Sequence, residues 1–145
     1  MTDSELKFKR SCGSCRLCCK LMGVPNFPDK PNEHEWCAHA CSRGCAIYKD
    51  RPEECRDFHC MYLISEQIPD YWHPRLSKII INPKLDNTAG AFVAFVVDWA
   101  FPNRWREEPW ISDIKKMAIA GLNGRHGSKW TTIVMVKDQK IVIGK

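Results

Sequence analysis

The chain has 145 residues, 44% of them hydrophobic, a formal charge of +5 and nine cysteines. That length suits one domain and buries roughly two thirds of the unfolded surface. The first ten residues, Met-Thr-Asp-Ser-Glu-Leu-Lys-Phe-Lys-Arg, lack the apolar core of a signal peptide, and no later run approaches the roughly 20 apolar residues of a membrane span. A cytoplasmic protein without a membrane segment is expected, with its thiols kept reduced.

All nine cysteines fall between Cys12 and Cys60: Cys12, Cys15, Cys18, Cys19, Cys37, Cys41, Cys45, Cys55 and Cys60. Such crowding has two common explanations, a disulfide scaffold or bound metal. The odd count and the expected reducing compartment favour metal over a disulfide scaffold or redox-active thiols. Cys12-Gly-Ser-Cys15 and Cys15-Arg-Leu-Cys18 are overlapping Cys-x2-Cys units. A tight turn with this spacing aims two sulfurs at one ion, and Gly13 eases the turn. Cys18 and Cys19 are adjacent. Adjacent side chains diverge in a strand and lie about 100° apart in a helix, so the pair is expected to serve different metal atoms.

Pro25, Pro28 and Pro31 then mark an irregular connection. Cys37, Cys41 and Cys45 follow at spacings of four, which a helix would stack on one face, although Gly44 speaks against a continuous helix. Arg51-Pro52-Glu53-Glu54-Cys55-Arg56 reads as a short helix start, with Pro52 in the first turn. Arg51 and Arg56 either balance thiolate charge beside the sulfurs or face solvent. Thiolates select zinc, iron–sulfur clusters or copper(I), and a four-sulfur tetrahedron suits zinc and iron–sulfur alike. His34, His39 and His59 lie among the cysteines; each reads first as a surface or supporting histidine, with His59 the best candidate ligand.

The remainder, residues 75–145, reads as a conventional α+β portion. Lys78 to Asn82 is strand-like and Asn82-Pro83 is expected to end it. Leu85 to Gly90 forms a turn into a second strand, Ala91 to Asp98. Trp99, Trp105 and Trp110 gather around Phe101, Pro102 and Pro109. They read first as packing at a strand–helix junction, the alternative being a base-stacking platform. A helix is predicted from Pro109 to Gly121, with Ile111, Ile114, Met117, Ala118 and Leu122 near one face and Gly121 and Gly124 as stops. Asn123-Gly-Arg-His-Gly127 reads as a turn. Thr131 to Val136 and Lys140 to Ile143 flank Lys137-Asp138-Gln139 as a hairpin. The expected fold is α+β: a metal-organised region over 10–62 joined, in a single domain, to a small antiparallel sheet with one helix.

Cys12-x2-Cys15-x2-Cys18-Cys19, Gly44-Cys45-Ala-Ile-Tyr48, Arg51-Pro52-x2-Cys55-Arg56 and Phe58-x-Cys60 together resemble the CxxCxxCC family. These YkgJ-like cysteine cluster proteins are described as zinc- or iron-chelating domains. The resemblance covers about residues 10–62. It implies eight ligands, Cys12, Cys15, Cys18, Cys19, Cys37, Cys45, Cys55 and Cys60, and leaves Cys41 outside the pattern. Flagellin lysine methylases carry a similar motif with an iron–sulfur cluster, but their additional sequence is not evident here, so methyl transfer is not implied. The expected function is metal binding at a multi-cysteine zinc or iron site, an iron–sulfur cluster included, with more than one metal atom. A metal- or iron–sulfur-dependent enzyme and a metal-handling protein are the alternatives. No phosphate loop, dinucleotide fingerprint or nucleophile elbow supports a particular reaction. Eight thiolates on two divalent ions would bring the formal charge of +5 to about +1, which argues against a nucleic-acid surface.

Overall fold

The computed structural model describes residues 17–21, 36–37, 40–41, 44–45, 60–65, 67–86, 90–124 and 129–143. Its centre is a four-stranded sheet whose strands lie side by side in chain order. The strands are β3 (Ile79–Asp86), β4 (Gly90–Val97), β5 (Thr131–Val136) and β6 (Gln139–Ile143). Before them come a short helix α1 (Leu17–Leu21), a two-stranded ribbon of β1 (Ala40–Cys41) and β2 (Gly44–Cys45), and the one-turn helices α2 (Met61–Ile64) and α3 (Pro74–Ser77). The long helix α4 (Trp110–Asn123) lies between β4 and β5 in sequence.

The mixed α+β class agrees with expectation, but the sheet is not wholly antiparallel. β3 and β4 pair antiparallel, as do β5 and β6, whereas β4 and β5 run parallel with Phe95 opposite Val134. The reason is connectivity. A two-residue hairpin reverses the chain, but a parallel pair needs a long crossover, and α4 supplies it.

Alternation along the strands divides two cores. Ile79, Ile81, Val93, Phe95, Val97 and Val134 belong to a cluster completed by Ile114 of α4 and by Ile68, Trp72 and Trp105. Ile80, Ala94 and Val96 form a second cluster with Leu17 and Leu21 of α1, and Cys60 packs against it. The sheet is therefore covered on both faces. That explains why β4 is an unbroken apolar run rather than an alternating one, with Val93 to Val97 all buried. Burying a side chain such as Phe95 stabilises by roughly 1.5–3 kcal/mol.

Four expectations change. β3 continues through Pro83 to Asp86 instead of ending at Asn82-Pro83. β3 is an edge strand, where a proline without an N–H is tolerated. Lys78, at φ 61, is the left-handed cap of α3 and not part of the strand. In α4, Leu122 falls beyond the core face and stands 46% exposed, while Ile114, Ala118 and Gly121 are buried. The β5–β6 loop is only Lys137-Asp138, because Gln139 already pairs with Val136.

Gly121 does not stop the helix. Gly124, at φ 65, caps it, its N–H bonding back to the carbonyls of Ala120 and Gly121. Gly121 instead admits the Trp130 indole: a Cβ there would lie 2.6 Å from Nε1. Gly121→Ala gains up to about 1 kcal/mol of helix propensity but overpacks this contact by about 1–3 kcal/mol. Net destabilisation is expected, read as a lower urea midpoint in tryptophan fluorescence. An unchanged or higher midpoint would contradict the close packing of Trp130 on α4.

Candidate metal centre

α1 and Cys60 meet the sheet on the face opposite α4. Leu17 and Leu21, one turn apart on α1, are both buried against that face. Cys18 and Cys19 are successive residues between them on the helix. Lys20 is buried too. Its Nζ lies 2.5 Å from Asp98 Oδ1, just past the end of β4, with both side chains under 10% exposed. The same carboxylate oxygen accepts the Ala100 N–H at 3.0 Å. The ammonium also stands 4.0 Å from the centre of the Trp99 ring and 5.5 Å from that of Trp36. This single side chain thus brings α1, the end of β4 and the Trp36-Cys37 segment together.

Cys60 reaches the same region from the other end of the cysteine-rich stretch. It is the N-cap of α2, half-buried, a free thiol, and packed against the cluster that holds α1. Burial pushes its thiol pKa up, while the backbone amides of Leu63 and Tyr62 pull the other way. Cys37, also half-buried, is not in a disulfide.

Cys41 and Cys45 lie on strands, not on the helix that their spacing from Cys37 allowed. Cys45 is registered against Ala40 and Cys41 against Gly44. The two cysteines therefore occupy positions of opposite parity in the ribbon. Cys12, Cys15 and Cys55 lie outside the described residues, as do His34, His39, His59, Arg51 and Arg56. Among the described residues no three His, Cys, Asp or Glu side chains come close enough to hold an ion. The donor chemistry of Cys37 and Cys60 nevertheless fits a soft metal, since neither sulfur is committed to a disulfide.

The tryptophans of the 99–110 segment have structural settings. Trp105 is buried, and Trp110 donates its Nε1–H to the Tyr71 carbonyl at 2.9 Å. Trp99 is flanked by the ammonium groups of Lys20 and Lys137, at 4.0 and 4.9 Å from its ring centre. Sequence reasoning did not single out Lys20, Asp98 or Trp36. Lys20 directly follows Cys19, but nothing local distinguishes a buried lysine from a solvated one.

It also missed Asp113, in the first turn of α4. Its Oδ2 accepts hydrogen bonds from the Tyr71 hydroxyl and, at 2.8 Å, from Trp72 Nε1. The carboxylate pushes the Tyr71 pKa up to about 12 from an ordinary 10. The unfolded tyrosine ionises at the lower value. The stability from this bond is therefore fully present below about pH 10 and is lost as pH rises through about 12. Tyr71→Phe is expected to cost about 1–2 kcal/mol at neutral pH and to remove this alkaline step from the stability profile. A profile that keeps the step would assign it to another group.

No family model, no curated protein and no solved structure matches the chain. Among the described residues no helix is long and apolar enough to cross a membrane.

Proposed function

We propose that the chain is a cytoplasmic metal-binding protein in which Cys12, Cys15, Cys18, Cys19, Cys37, Cys45, Cys55 and Cys60 hold more than one atom of zinc or iron, an iron–sulfur cluster included. The observation that carries this reading is convergence. α1 and Cys60 are far apart in sequence yet pack into one cluster on the sheet, and Trp36, next to Cys37, lies beside Lys20 of α1. The tandem Cys-x2-Cys spacing and the resemblance to the CxxCxxCC family supply the ligand set.

Elemental analysis of anaerobically purified protein, read beside its absorption spectrum, tests the reading. Two or more metal atoms per chain are expected. Visible absorption with acid-labile sulfide assigns iron–sulfur, and a colourless protein with zinc assigns paired thiolate sites. Protein that purifies with less than one equivalent and takes up neither metal under reducing conditions would sink the proposal. The coordination shell then separates a structural site, closed by four protein ligands, from a reactive one that keeps an open position.

A further inference from the structure

The α4 side of the sheet carries a cavity of about 650 Å³. That is within the range of small-molecule sites, roughly 300–1,000 Å³. The sheet contributes Ile81, Val93 and Phe95 to its lining, and Trp72 and Trp130 add aromatic surface. Two charged side chains of α4 complete it, Asp113 and Lys116, one turn apart.

Asp113 is already held by neighbouring donors. Tyr71 and Trp72 both donate to its Oδ2, and among the described residues no donor is seen on Oδ1. The carboxylate is therefore fixed before any ligand arrives, which lowers the ordering cost of binding. Lys116, three residues on, forms no ion pair with Asp113 or with any other described residue. An apolar cavity thus presents one fixed negative charge and one flexible positive charge at neighbouring positions.

That pairing selects a class of ligand. A plain amine would gain Asp113 but meet repulsion from Lys116. A plain carboxylate would gain Lys116 but meet repulsion from Asp113. A zwitterion with an apolar tail satisfies both charges and fills the aromatic lining. We propose that this cavity binds a free α-amino acid with an aromatic side chain, its ammonium on Asp113 and its carboxylate on Lys116. The site is independent of the metal reading, because it is built on α4 and the opposite face of the sheet.

Isothermal titration of the full chain with L-phenylalanine, 2-phenylethylamine and 3-phenylpropionate tests it. L-Phenylalanine should bind, and loss of either ligand charge should weaken binding by about tenfold. Asp113→Asn keeps an acceptor for Tyr71 and Trp72 and so should retain the fold, checked by circular dichroism. It should weaken L-phenylalanine by about tenfold without weakening 3-phenylpropionate. Lys116→Met, at an exposed position, should weaken L-phenylalanine but not 2-phenylethylamine. Failure of all three compounds to bind would overturn the proposal. So would equal affinity for the three, or tighter binding of the amine or the acid than of the zwitterion. L-Phenylalanine binding that neither substitution alters would place the ligand elsewhere and overturn it equally.

Discussion

On the proposed metal reading, reduced protein stripped of metal by a chelator should release α1 from the sheet while the four-stranded sheet and α4 persist. The expectation follows from what holds α1. A five-residue helix is far below the roughly 12–15 residues at which an isolated helix becomes even marginal in water. Leu17 and Leu21 contribute roughly 1.5–3 kcal/mol each by burial. Ordering the five residues costs roughly 1–2 kcal/mol apiece in backbone entropy alone. The apolar contacts, about 3–6 kcal/mol together, therefore fall short of the about 5–10 kcal/mol that ordering α1 itself costs, before any of the flanking chain is fixed. Thiolate–metal bonds would supply the difference, since structural zinc contributes about 10–16 kcal/mol of apparent binding free energy. The sheet half has its own core around Phe95, Ile79 and Ile114 on the α4 side, and among the described residues no cysteine belongs to that cluster. Limited proteolysis should cleave before Met61 while the strands of the sheet and α4 stay intact. Far-ultraviolet circular dichroism should fall only in part. A chelated, reduced protein whose digestion pattern and dichroism match the loaded form would show that the cysteines do not organise the fold.

Much of this architecture was legible because it is written in local periodicity. The apolar run of β4, the 3.6-residue pattern of α4 and the β5–β6 hairpin all follow from neighbours in sequence. What was not legible depends on position in the sheet. Whether Pro83 ends a strand depends on whether that strand lies at an edge, and no local signal says so. The parallel pairing of β4 with β5 depends on where α4 returns the chain. Gly121 and Gly124 look equally able to stop a helix; only the approach of Trp130 assigns the first to packing and leaves the second as the cap. The spacing of the cysteines was the clearest chemical signal, yet the helix that carries Cys18 and Cys19 is tied to the sheet by a contact between Lys20 and Asp98, 78 residues apart. Asp113 reads as one more polar residue in a helix until Tyr71 and Trp72 are seen to converge on it.

Lys20→Met should destabilise the protein by about 3–5 kcal/mol, the usual consequence of leaving one member of a buried ion pair alone. The Asp98 carboxylate would keep the Ala100 N–H but lose its cation in a site that water hardly reaches. The aromatic rings of Trp99 and Trp36 would lose the ammonium they surround, a contact worth up to about 2 kcal/mol when desolvated. Asp98→Asn should cost a similar amount for the opposite reason, since it strands the buried ammonium. The double variant Lys20→Met with Asp98→Asn leaves no uncompensated charge, so its cost should fall well short of the sum of the two. Urea unfolding of the metal-loaded protein measures all four species. Because the pair is nearly closed to solvent, added salt should change these differences little. The metal proposal adds a second readout. Lys20 anchors the helix that carries Cys18 and Cys19, so Lys20→Met should release metal at lower chelator concentration than the parent. If stability falls as expected but the chelator midpoint does not move, the anchor serves the fold alone and α1 does not transmit its order to the metal. If neither moves, the buried pair contributes nothing net and the docking of α1 rests on Leu17 and Leu21.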